Sequence, residues 1–201
     1  MKNIAVLASG SGSNFEAIAK SISRGYIRGK LKLLITDREN SYVRVRARKF
    51  KVKDVFLNPK DFNTREDFDK QIVRVLIDEK IDLVVLAGFM RIITSGFVKA
   101  FRSRILNIHP ALLPSFKGAH GIKEAHDYGV KITGVTVHFV DEKMDHGPII
   151  LQEALNIKEK EALEKLEERI HRIEHKLYPK AIKLFLEGRL KVVERRVVIL
   201  N

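Results

Sequence analysis

The chain has no cysteine and no tryptophan among its 201 residues. Without cysteine there can be no disulfide, catalytic thiol or thiolate metal site, so any chemistry must use histidine, asparagine, carboxylates and the backbone. The sequence also lacks an apolar run long enough to span a bilayer, and its first apolar segment leads into glycines, not into a cleavage site. These absences predict a soluble cytoplasmic protein with no membrane partner.

Several catalytic motifs are also missing. No HExxH motif and no cluster of carboxylates with metal-ligand spacing occurs, so we expect no metal. No Gly-x-Ser-x-Gly elbow lies between a strand and a helix, which disfavours a serine hydrolase.

Basic residues are in excess, with 38 Lys and Arg against 25 Asp and Glu and a net charge of +13. Clustered basic residues would indicate a nucleic-acid partner. Most of them are instead interleaved with acids at helical spacing, as in residues 158–169, and only 44–53 and 191–196 form basic patches. We therefore expect no nucleic-acid partner, and the excess charge suits solubility, anionic small substrates or heat resistance.

Apolar runs alternate with amphipathic segments in the first hundred residues. The predicted strands are 3–8, 31–36, 54–57 and 81–87, and the predicted helices between them are 14–23, 42–49 and 62–80. Strands that are buried on both faces and separated by helices indicate a parallel sheet with right-handed crossovers.

The pattern changes after His109. Residues 131–140 and 148–155 are predicted strands joined by a short loop, which indicates an antiparallel edge. A long helix follows over about 160–186, with a possible interruption at Tyr178-Pro179, and residues 191–200 suit a small hairpin. The predicted fold is α/β, a Rossmann-like open twisted sheet that is parallel in its N-terminal half, with helices on both faces, in one domain of residues 1–201.

A glycine-rich loop, residues 9–14, separates the first predicted strand from the first helix. Glycines let the backbone approach a ligand, and the amides of a helix N-terminus receive an anion, so the loop suits a phosphate. It is not a dinucleotide fingerprint, because Phe15 stands where a third glycine is expected. A tight turn in which Ser13 or Asn14 only caps the helix is the alternative.

Two segments together supply an amide, an imidazole and a carboxylate. Asn107 and His109 are two residues apart on a predicted strand and so project from one face, and Pro110 ends that strand at its carboxyl edge. The amide and a protonated imidazole can both donate to one developing oxyanion, and Asp145 would keep the imidazole charged. This pattern predicts an acyl-transfer site at an edge where open α/β sheets bind ligands.

Each part of this pattern also has a structural interpretation. His109 alone would suit a histidine hydrogen-bonded at a strand end, and the loop of Asp145 would suit a plain β-turn. His138, in the middle of a strand, and His120 are weaker candidates for the site, and a structural role fits either of them.

Five blocks, taken in order, resemble the phosphoribosylglycinamide formyltransferases of purine synthesis: 9–14, 84–92, 106–114, 134–141 and 144–148. The resemblance runs from Asn3 to about Leu190. It implies a formyltransferase fold with a phosphate- and nucleotide-binding half, 1–100, and a catalytic and folate-binding half, 101–201. It also implies transfer of a formyl group from the co-substrate 10-formyltetrahydrofolate to the amine of glycinamide ribonucleotide in purine (IMP) biosynthesis, without a metal.

The resemblance further implies roles for individual residues. Asn107 and His109 would stabilise the tetrahedral oxyanion, while Asp145 would raise the pKa of the histidine and assist proton transfer from the attacking amine. The ribonucleotide would contact Gly12, Ser13, Asn14 and Glu174. The formyl folate would contact Arg65, Met90, Arg91, Ile92, Ile93, Asn107, Asp141, Glu142, Lys143, Met144 and Asp145.

Three residues depart from the family pattern. Ala111, Lys117 and His146 stand where serine, proline and a small residue are common. They leave Asn107, His109 and Asp145 intact but bear on the shape of the folate-side loops. His146 also adds a titratable group beside Asp145.

Three alternatives remain open at this point. Methionyl-tRNA formyltransferases carry a further C-terminal domain, and formyltetrahydrofolate deformylases carry an additional N-terminal one. We expect neither, because the chain runs from a strand at Asn3 to Asn201. A non-catalytic nucleotide- or RNA-binding protein on a Rossmann-like sheet would have no use for the amide, imidazole and carboxylate together. Whether the protein is a monomer or a homodimer is left open.

Overall fold

The structure is a computed structural model that describes residues 1–201. It divides into two compact units, Met1–Leu106 and Asn107–Asn201, called unit 1 and unit 2 below. None of its helices is both long enough and apolar enough to cross a membrane.

Unit 1 alternates parallel strands with helices. The central strand β1 pairs with β2 and β4, and β2 pairs with β3, all in parallel. The strands are β1 Asn3–Leu7, β2 Lys30–Thr36, β3 Lys53–Phe56 and β4 Leu83–Leu86, and the helices are α1 Ser13–Ser23, α2 Tyr42–Lys49, α3 Arg65–Asp78 and α4 Ser95–Ala100. The predicted parallel N-terminal half is confirmed, whereas the short helix α4 was not predicted.

Continuous apolar runs explain why these strands are central. Residues Ile4 to Leu7 are fully inaccessible to solvent, and β4 is buried along its whole length. A strand covered on both faces needs no polar alternation, which is the pattern from which a parallel sheet was predicted. Helix α3 begins where the Thr64 side chain accepts a hydrogen bond from the amide of Asp67 at 3.1 Å. This N-cap satisfies an amide that the helix itself leaves unpaired.

Unit 2 carries the antiparallel edge. Strands β6 and β7 pair antiparallel, and β8 and β9 form a separate two-stranded hairpin. The elements are β5 Ile105–His109, α5 Gly121–Tyr128, β6 Ile132–Phe139, β7 Ile149–Asn156, α6 Leu163–Leu186, β8 Leu190–Val193 and β9 Arg196–Ile199. The predicted edge, long helix and terminal hairpin are confirmed, and α5 is an additional helix.

Helix α6 is continuous, so the interruption considered at Tyr178-Pro179 is absent. Proline in a helix removes one backbone hydrogen bond and crowds the preceding turn. Here Tyr178 and Pro179 both lie on the buried face, together with Ala181 and Ile182. Packing of this face offsets the local cost of the proline, because tertiary burial contributes more to helix stability than local propensity.

The seven strands of the main sheet have the order β3-β2-β1-β4-β5-β6-β7. From β1 the chain adds β2 and β3 toward one edge of the sheet, and from β4 it adds β5, β6 and β7 toward the other edge. The direction in which strands are added therefore reverses between β1 and β4. Ligands of open α/β sheets bind at the carboxyl ends of strands beside such a reversal. The predicted α/β, Rossmann-like fold, parallel with an antiparallel C-terminal edge, is confirmed.

A stability test concerns two threonines of β6. The Thr136 hydroxyl is fully buried, donates to the carbonyl of Ala111 at 2.7 Å, and accepts from the amides of Leu113 and Gln152 at 3.1 and 2.9 Å. Replacing Thr136 with valine leaves the buried carbonyl and the two amides without this hydrogen-bond partner. We therefore expect the free energy of unfolding in urea to fall by about 1–3 kcal/mol.

Thr133 provides a matched control, because its buried hydroxyl has no hydrogen-bond partner. The change Thr133→Val removes an unsatisfied polar atom and is expected to leave stability unchanged or raise it. Equal losses in both variants would contradict this interpretation of Thr136.

Candidate active site

The predicted amide, imidazole and carboxylate converge in unit 2. Asn107 and His109 lie two residues apart on β5, and the Asp145 carboxylate lies against both of them. Its Oδ2 is 3.5 Å from Nδ1 of His109, and its Oδ1 accepts from Nδ2 of Asn107 at 3.4 Å. His109 is almost fully buried. Two groups of β5 and a carboxylate distant in sequence therefore form one cluster at the carboxyl end of β5.

Asp145 is held by its backbone as well as by its partners. It adopts a left-handed conformation with φ of +46°, and its Oδ2 accepts from the amide of Gly118 at 2.8 Å. Burial raises the pKa of the Asp145 carboxyl, but the His138 ring, the Gly118 amide and His109 together lower it by more. Its net pKa is below the ordinary value, so the group is an ionised acceptor at neutral pH.

His109 has an acceptor at each ring nitrogen. Its Nε2 lies 2.7 Å from the carbonyl oxygen of Phe116, and because a carbonyl can only accept, Nε2 carries a proton and donates. Nδ1 faces the Asp145 carboxylate. The ring is therefore oriented from both sides, which suits a group that donates a proton or a hydrogen bond.

His138 belongs to this cluster, although the sequence marked it only as a weaker candidate. It is buried on β6, and its Nδ1 donates to the carbonyl of Phe139 at 2.7 Å. Its Nε2 lies 3.1 Å from Nδ2 of Asn107 and 3.8 Å from Oδ1 of Asp145. The ring of His138 therefore lies against both the amide of Asn107 and the carboxylate of Asp145.

The one signal for His138 in the sequence was its place in the block 134–141. His120, the other weaker candidate, is exposed and precedes α5.

The loop between β6 and β7 carries the other folate-side candidates of unit 2. Asp141 accepts from the amide of Lys143 at 3.0 Å and pairs with Nδ1 of His146 at 2.7 Å. Glu142 and Lys143 are exposed, and Met144 keeps half of its surface accessible. The loop thus presents both charged and apolar side chains.

In unit 1 the glycine-rich loop follows β1, as predicted. Gly12 has φ of +76° and is the N-cap of α1, so Ser13 and Asn14 are the first two residues of the helix. The alternative in which Ser13 or Asn14 caps the helix is wrong, because no side chain caps it. A helix N-terminus that no side chain caps is the arrangement that an anion site needs.

The loop after β4 lies beside the glycine-rich loop. The amide of Ser9 donates to the carbonyl of Gly88 at 3.0 Å, and the Ser9 hydroxyl accepts from the amide of Met90 at 2.9 Å. Met90 and Ile92 keep more than half of their surface exposed. Hydrogen bonds therefore join the loops that follow β1 and β4, the two strands between which the strand order reverses.

A buried carboxylate fixes the far end of the segment 90–93. Asp69 on α3 accepts from the amide of Thr94 at 2.6 Å; burial raises its pKa, and this hydrogen bond lowers it in part. Arg91 lies over the ring of Phe68, with 5.0 Å from its guanidinium carbon to the ring centre. Ile93, which is partly exposed, precedes Thr94. Arg65, at the start of α3, lines a cavity of about 430 Å³ together with Lys70 and Thr94.

Glu174, the remaining ribonucleotide candidate, is buried on α6 of unit 2. Its Oε2 lies 2.9 Å from Nδ1 of His171, and this hydrogen bond raises the pKa of His171. A buried carboxylate paired with a half-exposed histidine is a polar position within an otherwise apolar helix face.

Comparison with known proteins points to one family. The formyl transferase family model matches residues 2–182. The chain is 42% identical over 186 residues to the phosphoribosylglycinamide formyltransferase of Bacillus subtilis (strain 168), covering 92% of this chain and 95% of that protein. It is 39% identical to the trifunctional purine biosynthetic protein adenosine-3 of Gallus gallus, of which it spans 19% of the length.

A solved structure agrees over the whole chain. The crystal structure of glycinamide ribonucleotide transformylase 1 from Symbiobacterium toebii superposes with a TM-score of 0.98 at 44% identity, covering 100% of this chain and 95% of that one. With a family model that matches nearly the whole chain, this protein belongs to the formyl transferase family.

Proposed function

We propose that this protein is a phosphoribosylglycinamide formyltransferase, which moves the formyl group of 10-formyltetrahydrofolate to the amine of glycinamide ribonucleotide in purine biosynthesis. The observation that carries the proposal is the convergence of Asn107, His109 and Asp145 at the carboxyl end of β5. The 42% identity to the Bacillus subtilis enzyme supports the same acceptor. The folate is a co-substrate that supplies the formyl group.

In the proposed reaction the amine of the ribonucleotide attacks the formyl carbon. A carbon–nitrogen bond forms, the carbonyl becomes a tetrahedral oxyanion, and the bond from that carbon to N10 of the folate then breaks as N10 takes a proton. His109 and Asn107 donate hydrogen bonds to the oxyanion, where preorganised donors lower the barrier most. No metal or covalent intermediate is needed, since the amine is a competent nucleophile once held close to the formyl carbon.

In this proposal Asp145 accepts the proton that the attacking amine releases. Its lowered pKa keeps the carboxylate ionised at neutral pH, so it can stabilise a positive charge on His109 and accept a proton from the attacking amine. Its contact with His109 at 3.5 Å is direct. Proton transfer within this cluster needs no group from outside unit 2.

The two oxyanion donors have other partners before substrate binds. Nδ2 of Asn107 lies within hydrogen-bond distance of both His138 and Asp145, and its bond to Asp145 is the longer one at 3.4 Å. We infer that this longer bond is the one exchanged for the oxyanion. Likewise Nε2 of His109 donates to the carbonyl of Phe116 and must leave it to reach a substrate oxygen.

For the substrates, we propose the residues that the resemblance implied. Gly12, Ser13 and Asn14 bind the ribonucleotide phosphate through the uncapped start of α1, and Glu174 contacts the sugar or amine end. The folate contacts Arg65, the segment 90–93 and the segment 141–145. We further propose that residues 1–201 act as one formyltransferase domain in the cytoplasm on small-molecule substrates, with no nucleic-acid or membrane partner.

An acceptor assay tests the reaction itself. We expect the purified protein to form tetrahydrofolate from 10-formyltetrahydrofolate only when glycinamide ribonucleotide is present, with folate absorbance as the measurement. Parallel reactions without acceptor and with methionyl-tRNA are the controls. Product without acceptor would instead mean a deformylase. Dependence on methionyl-tRNA would mean that the protein acts as a methionyl-tRNA formyltransferase.

Variants of the cluster test the mechanism. His109→Ala and Asp145→Asn each remove a group that acts on the transition state, so kcat is expected to fall by about 10²-fold or more. Circular dichroism should remain that of the parent protein. His126→Gln is the matched control, because His126 lies on α5 and its contacts to Glu161 and Asp127 are outside the cluster. Near-normal turnover in both cluster variants would refute the mechanism.

The glycine-rich loop offers a test of the phosphate site. A Cβ at Gly12 would collide with the Val43 side chain, and its positive φ is unfavourable for any other residue. Gly12→Ala is therefore expected to raise the KM for the ribonucleotide by about 10-fold, far more than the KM for the folate, because anion affinity depends on these amides.

Gly10→Ala in the same loop is the control, since nothing lies within 4 Å of its Cβ position. We expect it to retain both KM values. Equal increases in the two KM values of Gly12→Ala would mean that the loop has only a structural role.

A further inference from the structure

The hairpin of β8 and β9 reaches the loop that carries Asp145. Its turn contains Arg195, whose Nη2 donates to the carbonyl oxygen of His146 at 2.8 Å and whose Nη1 lies 3.0 Å from Nε2 of the same histidine. One guanidinium therefore contacts both the backbone and the side chain of the residue that follows Asp145. Two contacts from one planar guanidinium fix its orientation as well as its distance from His146.

The His146 ring has contacts on two sides. Nη1 of Arg195 lies 3.0 Å from its Nε2 and 3.5 Å from its Nδ1, so the guanidinium lies against both ring nitrogens. A carboxylate oxygen accepts, so Nδ1 donates to Oδ2 of Asp141 at 2.7 Å. The imidazole therefore lies between Arg195 and Asp141 and connects the hairpin to the first residue of the loop.

The position of Arg195 is itself well defined. At the base of the hairpin, the amide of Leu200 donates to the carbonyl of Arg189 at 2.8 Å, and Nε of Arg189 donates to the carbonyl of Leu200 at 2.7 Å. The strands between them pair in register from Leu190 with Ile199 to Val193 with Arg196. The paired strands thus define the turn that carries Arg195 to the loop.

The backbone on both sides of His146 is constrained. Asp145 has a left-handed φ of +46°, which is uncommon for residues with a side chain although aspartate adopts it more readily than most. On the far side, Gly147 lies so close to the carbonyl of Phe139 that no side chain fits there. His146 is the one residue between these two positions, so a contact to its backbone and ring restrains both neighbours.

We propose that Arg195 and His146 are positioning residues, which hold the loop 141–147 so that the Asp145 carboxylate faces His109 and Asn107. This inference rests on the proposed function, since it concerns the same reaction. It also accounts for a histidine at position 146, where a small residue is common in the family: a small side chain could neither reach the guanidinium of Arg195 nor donate to Asp141.

A plain surface contact is the competing interpretation. Arg195 is exposed, and exposed polar contacts contribute little to global stability. The two interpretations differ in what a variant changes. An incidental pair leaves catalysis untouched, whereas a positioning pair lowers turnover without lowering the melting temperature.

The test compares Arg195→Ala with Arg196→Ala, which removes the same charge from the neighbouring residue of the hairpin. We expect Arg195→Ala to lower kcat/KM for 10-formyltetrahydrofolate by about 3- to 10-fold, the range that a lost charged contact of this kind supports, with an unchanged Tm and an unchanged KM for the ribonucleotide. Arg196→Ala should match the parent protein in all of these quantities.

Variants at His146 separate the ring contact from the backbone contact. His146→Gln keeps a side-chain N–H that can donate to Asp141 and should retain more activity than His146→Ala. The double variant Arg195→Ala/His146→Ala should lose less than the product of the two single losses, because both remove one shared interaction. Fully multiplicative losses would contradict the proposed bridge.

The outcomes also separate this inference from the proposed function. If His109→Ala is inactive while Arg195→Ala and Arg196→Ala are both fully active, the positioning role is refuted and the formyltransferase proposal stands. If the parent protein transfers no formyl group to the ribonucleotide, the proposed function itself fails, and the positioning role fails with it.

Discussion

The ionised carboxylate of Asp145 is the group around which unit 2 is arranged. Removing a carboxylate from water disfavours its charged form, and the structure opposes this with the amide of Gly118, the amide of Asn107 and two imidazoles. These partners lie on three elements: Asn107 and His109 on β5, His138 on β6 and Gly118 in the segment before α5. The same contacts that keep the carboxylate ionised also orient Asn107 and His109, so the charge of the cluster and its geometry have one origin.

Buried polar side chains tie the loops of the site to the sheet and helices. In unit 2 the Thr136 hydroxyl binds the backbone at Ala111 and Leu113, directly after β5. In unit 1 the Asp69 carboxylate binds the amide of Thr94, at the end of the segment 90–93. Loops have few apolar contacts of their own, so a satisfied polar link of this kind holds a loop at a defined place.

Much of the fold followed from patterns that depend on short separations in sequence. Continuous apolar runs identified β1 and β4 as buried parallel strands, and the alternation of side chains along a strand placed Asn107 and His109 on one face. His138 was underestimated, because a single histidine on a strand has no local feature that separates a structural role from an active-site role. The contact of Arg195 with His146 could not be predicted, since it joins residues 49 positions apart through side chains alone.

Gly147 shows how little freedom the loop 141–147 has at one of its positions. The backbone there lies against the carbonyl of Phe139, while His146 and Met144 on either side of Asp145 remain partly open to solvent. For directed evolution this means that some positions of the loop accept new side chains and others do not. Libraries at 144 would vary an exposed side chain, whereas most substitutions at 147 would be lost at the folding step before any change of substrate preference could be selected.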